Sequence, residues 1–122
     1  MTVEDLAQVA DIEVKAFPAP RSAAFYRQEV TQNSYANYWV IHAAPAGATV
    51  TASRVVAYGG YWLMGEDAHI VSIAVEPQWR RQRLAEWLML ELIVTAWKHG
   101  AHLVTLEMRV SNSAASALYH KL

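Results

Sequence analysis

Cysteine is absent from the 122 residues, which excludes disulfides, thiolate metal sites and a cysteine nucleophile. No apolar run approaches the length of a membrane span, although 54% of the residues are hydrophobic. An excess of basic charge is missing too. Lys and Arg number 10 against 11 Asp and Glu, a formal net charge of −1, unlike the basic footprint of a general nucleic-acid binder. The opening MTVEDLAQ lacks the basic and apolar regions of a signal or transit peptide, so a soluble, cytoplasmic protein is expected. Gly60 and Gly65 have phosphate-loop spacing, but Glu66 stands where that loop needs lysine. No Gly-x-Ser-x-Gly elbow occurs. His99 and His102 are separated by Gly100 and have no third ligand nearby in sequence, so no metal is expected.

What is present suits one domain over residues 1–122, large enough for a real core. Thr2 followed by Glu4 and Asp5 resembles a helix start, and Val3, Leu6, Val9, Ala10 and Val14 form an apolar stripe up to Phe17. Pro18 and Pro20 end that helix, and Ser22 caps a second one running through Val30. Strands are expected over Tyr38–Ala43, Arg54–Leu63 and His69–Val75, with Gly59-Gly60 as a bulge or close approach and Gly65-Glu66-Asp67 as a hairpin turn. A helix over Leu84–His99, a strand over Leu103–Arg109 and a last helix capped by Ser111 or Asn112 complete the order ααβββαβα. This is a mixed α/β pattern whose crossover helix makes the third and fourth strands parallel. The tryptophans Trp39, Trp62, Trp79, Trp87 and Trp97 read as core and rim, because no basic stripe accompanies them.

The stretch Val71–Leu92 organises the rest. Val71, Ile73 and Val75 alternate as a strand, Glu76-Pro77 stops it, and the basic turn Arg80-Arg81-Gln82-Arg83 leads into a helix at Leu84. Strand, cationic turn and helix start together offer backbone N–H groups and a helix dipole to a phosphate. A solvated basic turn ahead of an amphipathic helix is the alternative.

Arg80-Arg81-Gln82-Arg83-Leu84-Ala85 resembles motif A of the GCN5-related N-acetyltransferases, the GNAT family, whose turn reads Gln/Arg-x-x-Gly-x-Gly/Ala. Arg80 and Ala85 match it, and Arg83 replaces the middle glycine. Leu106-Glu107-Met108-Arg109-Val110-Ser111-Asn112 and Ala117-Leu118-Tyr119 are similar to the bacterial ribosomal-protein alanine N-acetyltransferases, the RimI type. The two blocks keep that family's separation, and the similarity runs from about Glu66 to Leu122. The implied fold is the three-layer GNAT arrangement, a central mixed sheet flanked by helices, here expected to lack the usual first and last strands. The implied activity is acetyl transfer from acetyl-CoA to a protein N-terminal α-amine, with the alanine of a small-subunit ribosomal protein as target. Another amine, or a non-catalytic CoA-binding module, are the other readings.

Such a reaction must hold the cofactor phosphates, take a proton from an ammonium and give one to a departing thiolate. Both groups titrate near pH 8, so positioning and modest acid–base help suffice. The phosphates fall to the turn Arg80, Arg81, Gln82, Arg83, Leu84, Ala85 and Glu86. Arg83 either crowds a site that needs close backbone approach or belongs to a turn already helical and points aside. Glu107 sits in an apolar strand, either paired with Arg109 or a neighbouring strand, or partly buried with a raised pKa. The resemblance makes it the base. Tyr119, two turns after Asn112 on one helix face, either packs or, by resemblance, serves as the acid. Asn112 is a cap, a cofactor contact, or both. By the same resemblance the backbone of Ile73, Ala74 and Val75 splays from the next strand to receive the pantetheine arm. The Phe17–Ser22 loop would line the substrate entrance. Without further strands, the Leu103–Arg109 strand is expected to be an exposed edge, open to self-association.

Overall fold

The computed structural model describes residues 1–43, 54–81, 83–105 and 109–110, the last pair by backbone alone. A 3-10 turn over Val3–Asp5 leads into α1 (Leu6–Ala16), and α2 (Ala23–Thr31) follows. Three strands come next, β1 (Ala36–Ala43), β2 (Arg54–Met64) and β3 (Asp67–Val75). A 3-10 turn over Pro77–Trp79 precedes α3 (Leu84–Lys98), then β4 (Leu103–Thr105) and β5 (Arg109–Val110).

The sheet runs β1-β2-β3-β4, with β5 also on β3. β1, β2 and β3 are antiparallel neighbours, whereas β4 and β5 both lie parallel to β3, as a crossover through α3 requires. One layer of helices covers each face. Ala74 belongs to the cluster beneath α1 and α2, while its neighbours Ile73 and Val75 belong to the cluster beneath α3. This is the alternation of a strand buried on both sides.

The starts and stops follow local chemistry. The Thr2 N–H donates to Asp5 Oδ2 at 2.8 Å, closing the first turn. Ser22 Oγ accepts from the Phe25 N–H at 3.1 Å, the expected cap of α2. Gly100 follows α3 at φ +99, where only glycine is comfortable, and the Ala101 N–H returns to the Ala96 carbonyl at 3.0 Å. The β2–β3 hairpin is tighter than expected: its loop is Gly65-Glu66 alone, because Asp67 already pairs with Met64. The Gly59-Gly60 expectation holds. The β2–β3 register shifts between Gly60 and Tyr61, and the Tyr38 ring fills the space a Gly60 side chain would need.

One expectation needs correction. The apolar stripe of α1 runs through Leu6, Val9 and Ile12, with the wholly buried Glu13 beside them, while Val14 is 65% exposed and Val3 38% exposed. The helical period places Glu13 above Leu6 and Val9, at i+7 and i+4, and swings Val14 outward. The strand expected over Leu103–Arg109 is described at its two ends, β4 against Asp67–His69 and β5 against Ser72–Ile73. The register steps by one residue between them. No described strand pairs on the far side of β4 or β5. Residues 106–108 and the expected last helix lie outside the described residues.

Candidate active site

The core of the site is the path from the end of β3 to the first turn of α3. Ile73 is the last β3 residue in the parallel ladder, opposite Val110. Ala74 and Val75 lie beyond the last described parallel pair, though they still face Tyr58 and Ala57 on β2. The Glu76 N–H bonds the Val56 carbonyl at 2.7 Å, so the chain leaves the sheet turned toward β2. Pro77 then opens the 3-10 turn, and the Trp79 N–H closes it on the Glu76 carbonyl at 2.8 Å.

Beyond that turn the backbone is unusual. Arg81 has φ +66 and Arg83 has φ +61, the only non-glycine positive values among the described residues. Such a left-handed residue costs about 1–2 kcal/mol unless it is glycine. Arg83 is therefore not part of a turn already helical; it is the N-cap of α3 in the left-handed region (φ 61, ψ 20). That geometry explains physically why a glycine suits this position. Arg83 also makes no side-chain cap. The N–H groups opening α3 thus receive no acceptor from their N-cap, and the helix dipole adds positive potential at the same point. Arg80 contributes a buried Nε with no hydrogen-bond partner among the described residues. An orphaned guanidinium N–H three residues ahead of the α3 N-cap, and a helix start that its N-cap leaves without an acceptor, are each donors suited to an oxyanion.

Of the expected site residues, Ile73, Ala74, Val75, Arg80, Arg81, Arg83, Leu84, Ala85 and Glu86 lie along the described path from the end of β3 to the first turn of α3, on either side of residue 82. Gln82, Glu107, Asn112 and Tyr119 lie outside the described residues.

Polar residues that the sequence reading passed over lie between α1, α2 and the sheet strands β1 and β2. Glu13 accepts the Tyr26 hydroxyl at 2.7 Å and the Arg21 N–H at 2.8 Å, and the Tyr58 hydroxyl also donates to it. Glu29 accepts the Tyr38 hydroxyl at 2.8 Å, the Trp62 indole N–H at 2.7 Å and the Asn33 amide at 2.6 Å. Burial, reinforced by these carboxylates, pushes the phenols of Tyr26, Tyr38 and Tyr58 above their ordinary value. Lys15 ties α1 to the end of β3, with Nζ 3.0 Å from the buried Glu76. Its hydrogen bonds to Glu76 and Asp11 raise its pKa. The detectable signal for Glu13 was its place on the Leu6–Val9 face, where a charge stands out from apolar neighbours.

Residues 6–122 match the Acetyltransferase (GNAT) family. The chain belongs to this family. A Bacillus subtilis (strain 168) relative, provisionally named a ribosomal protein bS18-alanine N-acetyltransferase, is 33% identical over 121 residues, covering 99% of this chain and 75% of the relative. An Escherichia coli (strain K12) ribosomal protein bS18-alanine N-acetyltransferase is 42% identical over 57 residues, which is 47% of this chain and 38% of that protein. The crystal structure of the Escherichia coli ribosomal-protein-S18-alanine N-acetyltransferase superposes with a TM-score of 0.76 at 27% identity, covering 99% of this chain and 72% of that one. The Thermoplasma acidophilum PaiA N-acetyltransferase, solved in complex with coenzyme A, shares the fold at a TM-score of 0.71 and 14% identity, over 99% of this chain and 84% of that one. This GNAT chain is accordingly an acetyltransferase of mixed α/β architecture. Among its described residues no helix is long and apolar enough to cross a membrane, and no group of three or more His, Cys, Asp or Glu could hold a metal ion.

Proposed function

We propose that this GNAT chain transfers acetyl from acetyl-CoA to the N-terminal α-amine of a protein, with the N-terminal alanine of a small-subunit ribosomal protein as substrate. The observation that carries the reading is the uncapped start of α3 behind two left-handed arginines. It is a place for a pyrophosphate, which acetyl-CoA carries. The names of the Bacillus subtilis and Escherichia coli relatives supply the choice of amine. In this reading the N–H groups of the turn Arg80–Glu86, Gln82 included, hold the phosphates, and Arg80 adds a charged donor. The backbone of Ile73, Ala74 and Val75 receives the pantetheine arm, and Asn112 contacts it further on. No resident metal is needed. The reaction would run in the cytoplasm, where acetyl-CoA and new protein termini meet.

The chemistry is direct attack in a ternary complex. The Glu107 carboxylate takes a proton from the substrate ammonium, directly or through one water. The freed amine attacks the thioester carbonyl to form the C–N bond, the C–S bond breaks, and the Tyr119 phenol gives its proton to the leaving thiolate, while the second proton on the new amide nitrogen passes through solvent to restore the phenol. Acid–base help of this kind contributes about 10²–10⁴-fold. Incubating the protein with acetyl-CoA and a panel of N-terminal peptides tests the whole. Turnover strongest on an alanine terminus, cut by Glu107→Gln and by Tyr119→Phe with coenzyme A binding retained, is the expected result. Turnover indifferent to both changes, or no affinity for coenzyme A, overturns it.

A further inference from the structure

α3 carries apolar residues on two opposite faces, with the exposed Glu91 and Lys98 on one flank between them. Leu88, Met89, Leu92 and Ala96 are buried against the sheet, yet the opposite face carries Trp87 at 57% exposure, Leu90 at 44%, Val94 at 44% and Trp97 at 69%. A second apolar stripe on the water-facing side of a helix ordinarily marks an interaction surface. These four residues recur at intervals of three, four and three, the spacing of the a and d positions of a coiled coil. That seam accepts another helix better than it accepts a strand or an extended peptide.

We propose that this face is a self-association surface, on which α3 of a second copy lies antiparallel across a two-fold axis near Leu92. Reversal about that point sets Trp87 against the partner's Trp97 and Leu90 against the partner's Val94, so aromatic meets aromatic and aliphatic meets aliphatic in both halves. An isologous contact demands this self-matching. Charge agrees. Glu91 and Lys98, both exposed, share one flank of the seam, and antiparallel helices bring equivalent flanks together. Each Glu91 then lies within side-chain reach of the partner's Lys98, since both side chains lean toward their own N-termini. A lipid surface fits poorly, because Lys98 is the only basic residue in α3 and an interfacial helix is normally rich in them. The four side chains offer roughly 500 Å² per copy and about 1,000 Å² per pair, the lower limit of a specific interface, so the dimer should be weak.

Sedimentation of the 122-residue chain from about 1 to about 200 µM brackets the micromolar affinity such an area supports. Concentration-dependent dimerisation is expected. Trp97→Ser should weaken it by tenfold or more with the far-UV circular dichroism unchanged, since the residue is exposed. Glu91→Lys and Lys98→Glu should each weaken it several-fold, and the double exchange should restore it, which a merely greasy surface would not do. A chain monomeric throughout overturns the proposal, whatever else shields the face. So does a dimer indifferent to Trp97→Ser, as pairing along the β4 edge would be, or a double exchange that fails to restore.

Discussion

The two faces of the sheet are held by different physics. Beneath α3 the contacts are chiefly apolar: Ile70, Ile73, Val75, Leu88, Met89 and Leu92 meet there, and the Tyr61 hydroxyl in the same cluster lies 2.8 Å from His99 Nδ1. Beneath α1 and α2 the apolar residues Leu6, Val9, Ile12 and Val55 neighbour the buried carboxylates of Glu13 and Glu29, each accepting several donors. The tyrosine rings there also meet edge to face, Tyr26 with Tyr38 at 5.8 Å and with Tyr58 at 5.6 Å between centroids. An apolar face tolerates changes of shape but not of volume, whereas a hydrogen-bonded one tolerates neither a lost acceptor nor a reversed donor. The polar face anchors the Phe17–Ser22 loop through the Arg21 N–H to Glu13, so its rigidity would be passed to any substrate entering there. The apolar face positions the start of α3, where the phosphates would sit.

The sharpest way to break this contrast is to empty each face. Glu13→Ala should destabilise by about 3–5 kcal/mol, because three donors lose their acceptor at about 1–3 kcal/mol each and water recovers part. Leu92→Ala should cost about 2–5 kcal/mol through its cavity. Isosteric exchanges separate the faces better. Glu13→Gln turns an acceptor into a donor facing phenol hydroxyls and should cost about 2 kcal/mol, whereas Leu92→Met should cost under about 1.5 kcal/mol. Urea unfolding measures all four, and equal costs for the two isosteric changes would erase the distinction.

Alkaline pH should act chiefly on the polar face, although burial also raises the Tyr61 phenol beneath α3. Burial first, with Glu29 for Tyr38 and with Tyr26 and Glu13 for Tyr58, holds those phenols protonated above their ordinary range. Their contribution is intact below the unfolded phenol pKa of about 10 and is lost as pH rises beyond it. Thermal melts should therefore be level up to that point and fall above it, and Tyr58→Phe should flatten the fall. On the acid side Asp5 behaves oppositely. Burial pushes its carboxyl up, but the Thr2 N–H and His42 outweigh this and hold it below its usual range. Its contribution is present above about pH 4 and disappears as pH drops.

The smallest effect belongs to the turn. Arg83→Gly removes a left-handed side-chain residue and should stabilise by about 1 kcal/mol, net of glycine's greater unfolded freedom. If close backbone approach governs the phosphates, the same change should also tighten coenzyme A, read by isothermal titration calorimetry.

How much of this was visible in the sequence depended on whether the determinant is local. α3 and its end were legible from apolar spacing and Gly100, α2 from Ser22, and the β2 irregularity from Gly59-Gly60, because each is set by neighbours along the chain. The left-handed Arg83 was not, since an arginine carries no mark of positive φ; only the family's glycine at that place hinted at it. Glu13 was passed over for the converse reason. Its burial is decided by Tyr26, Tyr58 and Arg21, none of them close in sequence, and Val14 was taken for the inward residue beside it. The register step between β4 and β5 likewise depends on pairing with β3, which no single strand announces. Glu107, Asn112 and Tyr119 rest on resemblance to the GNAT family, and kinetics of their variants will decide them.

The ring of Tyr38 occupying the space above Gly60 has a genetic corollary. Position 60 cannot gain even a methyl group unless position 38 yields, and the Tyr38 hydroxyl is one of the donors holding Glu29. A library selected to rescue Gly60→Ala should therefore return smaller side chains at 38, accompanied by neutral replacements for Glu29, as a co-inherited pair.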